Sequence, residues 1–107
     1  MAFFDFLSGP NINKGLEEYG AVDGAMLLDV RTPQEYSEGH IPGSRNIPYH
    51  HIDTVSVLTG DKNVPLYLYC HSGARSGQAA GMLRQMGYTQ VRNLGGISSY
   101  LGKVVRS

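Results

Sequence analysis

Two apolar runs of strand length divide this chain, Ala25-Met26-Leu27-Leu28-Asp29-Val30 and Val64-Pro65-Leu66-Tyr67-Leu68-Tyr69, and each leads into a helix-forming stretch. Short continuous runs of this kind suit strands buried on both faces. In the second run Leu66 and Leu68 point one way, Tyr67 and Tyr69 the other. Strands that alternate with helices need crossover connections. The expected architecture is therefore α/β, a mainly parallel central sheet with helices on both faces. At 107 residues the chain is expected to form one domain, 1–107, with residues 1–10 as an N-terminal tail or cap.

The other elements follow from caps and breakers. Asn11 to Tyr19 reads as a short helix, capped by Asn11 or Asn13 and broken by Gly20 and Gly24. Thr32-Pro33 with Glu35 is a helix start, Thr32 as cap and Pro33 as first residue, and Gly39 limits that helix to about two turns. Ser44 to Pro48 holds a short strand. His50 to Leu58 is ambiguous: Thr54, Val55 and Val57 are β-branched, but Ile52, Val55 and Leu58 keep a helical spacing. Ala74 to Met86 reads as helix with Ala79, Met82, Leu83 and Met86 on its apolar stripe. Gly77 and Gly81 let that helix approach a neighbour, and Gly87 ends it. Val91 to Leu94 is a further strand, after which Gly95-Gly96 is expected to turn into a short closing helix carrying Tyr100.

Charge is balanced, 9 Lys+Arg against 9 Asp+Glu, which argues against nucleic acid or an anionic membrane as the partner. No run approaches the roughly 18 apolar residues of a membrane span. The start, with Phe3, Phe4 and Phe6, lacks the basic residues of a signal peptide. These phenylalanines read as a hydrophobic cap on the body, with a partner or dimer contact as the alternative. One unpaired cysteine excludes an internal disulfide, a CxxC redox pair and a Cys-rich zinc site, and favours a reducing cytoplasm as the location.

That cysteine, Cys70, stands at the carboxyl end of the second strand, ahead of a glycine-bearing loop and a helix. Open α/β sheets bind ligands in this crevice. Gly73 permits a tight curl, so the N–H groups of Ser72 through Ser76, including Ala74, can converge on one point, reinforced by the positive end of the helix dipole. A thiol held there is acidified, to a pKa of about 3.5–7.5. Arg75 brings a guanidinium near a bound anion, and Ser76 offers a hydroxyl. Cys70 as a small buried hydrophobe is the plainer alternative. It supplies no reason for Gly, Arg and Ser to follow at these offsets.

Three segments carry a resemblance. Asp29-Val30-Arg31-Thr32-Pro33-Gln34-Glu35-Tyr36-Ser37-Glu38-Gly39-His40-Ile41-Pro42-Gly43-Ser44-Arg45-Asn46-Ile47-Pro48 is similar to the first signature of single-domain rhodaneses. Cys70-His71-Ser72-Gly73-Ala74-Arg75-Ser76 resembles their active-site loop, and Asn93-Leu94-Gly95-Gly96-Ile97 their C-terminal motif. The similarity runs from about Gly24 to Tyr100, with the motifs in order. It implies a sulfurtransferase whose cysteine takes a sulfane sulfur from thiosulfate or a persulfide, protein-borne or small. The sulfur then passes to cyanide, a small thiol or a sulfur-carrying protein. Only Cys70 and its loop carry over as catalytic. The family often has Trp where Tyr100 stands, and Tyr49-His50-His51-Ile52 replaces a more usual leucine-and-acid pattern.

Four residues separate Cys70 from Arg75, whereas the related cysteine phosphatases have five and a wider cradle. The shorter loop suits a terminal persulfide sulfur, anionic and one atom beyond the thiolate, and predicts a shallow, open pocket. The amide cradle also stabilises the thiolate as leaving group. No metal or organic cofactor is needed, because sulfur is the carried group. An acidified thiolate needs no general base. A non-catalytic binding module on the same fold is the main alternative, and a cysteine phosphatase or arsenate reductase a more distant one. His71 reads as a loop residue facing solvent or substrate. His40 reads as structural, and Asp29 and Arg31 as a pair that supports the fold near the site. Gly95-Gly96 lets backbone pass close to the active loop. His50 and His51 diverge on either a helix or a strand, which disfavours a metal.

Overall fold

A computed structural model of the protein describes residues 11–107. The expected cap of Phe3, Phe4 and Phe6 lies outside the described residues. Four strands, β1 (Met26–Asp29), β2 (Arg45–Asn46), β3 (Leu66–Cys70) and β4 (Val91–Gly96), form one sheet in the order β2-β1-β3-β4, every pairing parallel. The helices are α1 (Ile12–Ala21), α2 (Pro33–Glu38), α3 (Val55–Leu58) and α4 (Ala74–Gln85), with 3-10 turns at Tyr49–Thr54 and Ile97–Ser99. This is the α/β architecture expected. No helix among the described residues is long and apolar enough to cross a membrane.

The alternation in β3 divides the core into two layers. Leu66, Leu68 and Cys70 pack with Leu28 and Val30 against Ala79, Ala80 and Leu83 of α4, Ile52 and Val55. Tyr67 and Tyr69 pack with Leu27, Ile41 and Leu94 against Ile12, Leu16 and Tyr19 on the other face. Burial on both faces explains the continuous apolar runs.

Local chemistry sets the helix bounds. Asn11 caps α1, its side chain accepting from the N–H groups of Asn13 and Lys14. Gly20 was expected to break α1, yet the helix runs through it to Ala21; one glycine costs only about 1 kcal/mol and nothing crowds this one. Thr32 and Glu35 form a reciprocal capping box at the start of α2, with Pro33 in the first turn. The ambiguous stretch is helical, a 3-10 turn followed by α3.

Three expectations are corrected. Met82 is 40% exposed, and the buried face of α4 is Ser76, Ala79, Ala80 and Leu83. A Cβ on Gly81 would meet no neighbouring element within 4 Å, whereas one on Gly77 would stand 3.3 Å from Asn93 Nδ2. Gly95 and Gly96 close β4 instead of forming a separate turn. The register slips between Leu68 and Tyr69, which pair with Asn93 and Gly95, so Leu94 is the extra residue of a bulge.

Candidate active site

β3 delivers Cys70 to the carboxyl edge of the sheet, and the chain then curls back over it. Gly73, at φ +103°, makes the bend, and its N–H donates to Cys70 Sγ at 3.0 Å. The Ser76 hydroxyl, in the first turn of α4, lies 3.4 Å from the same sulfur. Burial is the largest influence on the thiol and opposes its ionisation. The Ser76 hydroxyl and the main-chain N–H groups of Ser76, Gly73 and Ser72 together outweigh it, and the Cys70 pKa falls below the usual thiol value. Of the N–H groups from Ser72 through Ser76, that of Gly73 makes a direct hydrogen bond to the sulfur.

The thiol is covered. Cys70 is 1% exposed and belongs to the α4-side core. A cleft of about 250 Å³ beside the loop is lined by Ile12, Ser72, Gly73, Asn93, Gly95, Gly96 and Ser99, and not by Cys70. The shallow, open pocket expected over the sulfur is therefore replaced by a loop folded onto it. The physical reason is the same curl that brings the Gly73 amide to 3.0 Å.

Arg75 does not extend a free fork toward the loop. Its Nη1 and Nη2 donate to Glu35 Oε1 and Oε2 at 2.9 and 3.1 Å. The pair is bidentate and about one-third exposed on each side. The Arg75 hydrogen bonds, with the Thr32 N–H, hold the Glu35 carboxyl down to about 2 despite partial burial. His71 and Ser72 are exposed, and the His71 carbonyl accepts from the Ser98 N–H at 3.2 Å. Ala74 opens α4.

Asp29 and Arg31 form a buried ion pair at the end of β1. Arg31 Nη2 donates to Asp29 Oδ2 and to the Gly39 carbonyl, each at 2.7 Å, and Nε donates to both carboxylate oxygens at 3.1 Å. They pin the turn after α2, and among the described residues their side chains do not bond the 70–76 loop. His40 lies in the same turn, its Nδ1 2.8 Å from the Tyr36 carbonyl and its ring stacked on Tyr36 at 3.6 Å. His50 and His51 are exposed on the 3-10 turn. The Tyr100 hydroxyl donates to the Lys103 carbonyl at 2.9 Å.

Two residues of the site were not singled out from the sequence. In the sequence Glu35 marks only a helix start, and Asn93 stands only as part of a motif. Its Nδ2 donates to the Gly73 carbonyl at 3.1 Å, and its Oδ1 accepts from Ser76 Oγ at 2.7 Å and from the Gly95 N–H at 3.0 Å. An amide side chain in a strand, two residues ahead of a pair of glycines, is the available signal. The glycines do bring backbone against the loop: a Cβ on Gly96 would collide with the His71 carbonyl, and one on Gly73 would lie 3.2 Å from Gly95 Cα.

This geometry has relatives. A family model described as rhodanese-like domain matches residues 12–103. The chain is 45% identical over 82 residues to an uncharacterized protein of Bacillus subtilis, YqhL, covering 75% of this chain and 64% of that one. It is 41% identical over 71 residues to the thiosulfate sulfurtransferase PspE of Escherichia coli, covering 65% and 68%. The chain thus spans about two thirds of the length of these curated relatives. Among solved structures, a rhodanese with anions from E. coli superimposes with a TM-score of 0.72 at 36% identity, covering 78% of this chain and 99% of that one. The chain belongs to the rhodanese-like domain family.

Proposed function

We propose that the protein is a sulfurtransferase that carries a sulfane sulfur on Cys70. The observation that carries this reading is the Gly73 N–H aimed at Sγ at 3.0 Å, in a loop whose amides lower the thiol pKa. Those donors favour an anion at this point, whether thiolate or terminal persulfide sulfur. In loading, the Cys70 thiolate attacks the outer sulfur of a donor such as thiosulfate. The new Sγ–S bond forms as the donor's S–S bond breaks, and the electron pair leaves with sulfite. In unloading, cyanide or a thiolate takes the outer sulfur, and the Cys70 thiolate leaves into the same ring of donors. Sulfur is the only group carried, so the reaction needs no metal or organic cofactor. Several sulfurtransferases among the relatives support this chemistry.

Access to the sulfur makes the greatest demand. With Cys70 1% exposed, the loop must lift for a donor to reach it. The same burial is what favours a second reading, a binding module whose cysteine is only core. Thiocyanate production from thiosulfate and cyanide decides between them. The sulfurtransferase reading expects turnover that Cys70→Ser abolishes. No turnover with these or with persulfide donors, from a folded protein, would favour the binding module.

A further inference from the structure

Resting on sulfur transfer through Cys70, we propose that Glu35 sets the charge of the sulfur donor that the site accepts, by occupying the guanidinium fork of Arg75. The loop 70–76 has one Lys or Arg, Arg75. Both of its Nη atoms are bound to Glu35, at 2.9 and 3.1 Å. Glu35 is itself fixed. Its Oε1 also accepts the Thr32 N–H at 2.9 Å, and its own N–H donates to Thr32 Oγ1 at 3.2 Å. The carboxylate that holds Arg75 is thus part of the first turn of α2, which makes the tether preorganised and not a loose surface pair.

The tether decides which donors the loop favours. A bidentate carboxylate uses the geometry that a sulfonate or sulfate would otherwise use. Glu35 is ionised at neutral pH, so the pair presents no net charge. A dianion such as thiosulfate must displace Glu35 or depend on main-chain amides alone. A persulfide donor, RSS⁻, brings a single charge. Its loading forms the same Sγ–S bond and breaks RS–S, with the electron pair leaving on RS⁻. Glu35 is therefore a positioning residue that disfavours dianionic donors relative to persulfides.

Glu35→Gln tests this cleanly, because glutamine also serves the third position of a capping box. The readouts are KM for loading from thiosulfate, KM for loading from the persulfide of 2-mercaptoethanol, and protection of Cys70 from iodoacetamide by inorganic sulfate. One freed charge-assisted contact corresponds to about a tenfold change. Glu35→Gln is expected to lower the thiosulfate KM and the protecting sulfate concentration about tenfold, with the persulfide KM changing about twofold or less. The double variant Glu35→Gln/Arg75→Ala is expected to lose the gain. Equal changes for both donors, no change, or a gain that survives loss of Arg75 would overturn the role of Glu35 and leave sulfur transfer standing. If no form of the protein loads sulfur from either donor, the sulfurtransferase reading fails and the donor claim fails with it. In that case tighter sulfate protection would show only an anion gate.

Discussion

Asn93 holds the Cys70 loop through the Gly73 carbonyl: Nδ2 donates to the Gly73 oxygen at 3.1 Å, across a gap of twenty residues in sequence. The other end of the amide accepts the Ser76 hydroxyl at 2.7 Å. Ser76 Oγ has one proton and three acceptors in reach, Asn93 Oδ1, the Gly73 carbonyl and Cys70 Sγ. One amide therefore fixes both the bend that aims an N–H at the sulfur and the hydroxyl beside it. Asn93→Ala removes the partner of three groups, the Gly73 carbonyl, the Ser76 hydroxyl and the Gly95 N–H, which costs on the order of 1–3 kcal/mol. Thermal unfolding measures that loss. The Cys70 pKa is expected to rise in the same variant, read from alkylation rate against pH; an unchanged midpoint would separate Asn93 from the sulfur.

The thiol itself gives a pH signature. Its folded pKa lies below the usual value, so the folded state binds the proton more weakly than the unfolded chain. That stabilisation is fully present above the unfolded thiol pKa and is lost as pH falls through the folded one. Stability of the wild type relative to Cys70→Ser is therefore expected to increase with pH across this window. Ser76→Ala removes the largest of the influences that lower the pKa and is expected to raise the alkylation midpoint. Denaturant titrations at several pH values check the first expectation, and iodoacetamide kinetics the second.

Gly73 is held at φ +103°, where an L side chain is strained, and a Cβ there would stand 3.2 Å from Gly95 Cα. Gly73→Val is expected to cost about 1–3 kcal/mol and to abolish sulfur loading by uncurling the loop. Calorimetry and mass spectrometry read the two effects. Loading near the wild-type level would show that the loop does not need this backbone geometry.

Glu35 titrates at about 2 in the folded protein, against an ordinary 4.5. Its pairing stabilises the fold above the unfolded value and is lost as pH falls through about 2. The pair is one-third exposed, so solvent screening reduces the effect to the order of 1 kcal/mol. Glu35→Gln is expected to flatten the fall in stability between these two pH values, as followed by urea unfolding.

Much of this arrangement could be read from sequence because it is local. Thr32, Pro33 and Glu35 announce the start of α2 within four residues, and the alternation of Leu66 to Tyr69 assigns both core layers. The Cys70 loop was legible for the same reason: strand end, glycine and helix start are adjacent. What sequence did not reveal is pairing at long range. Glu35 meets Arg75 forty residues away, and Asn93 meets Gly73 and Ser76 only because β4 lies beside β3. Met82 misled because helical spacing gives a stripe but not which flank of it the sheet covers.

Intact mass after incubation with thiosulfate or a small persulfide tests the central claim most directly, that the amides around residue 70 stabilise an extra anionic sulfur. The account expects a gain of one sulfur atom, reversed by cyanide and absent in Cys70→Ser. A folded protein that gains no sulfur from any of these donors, with its thiol titrating like a free cysteine, would contradict it.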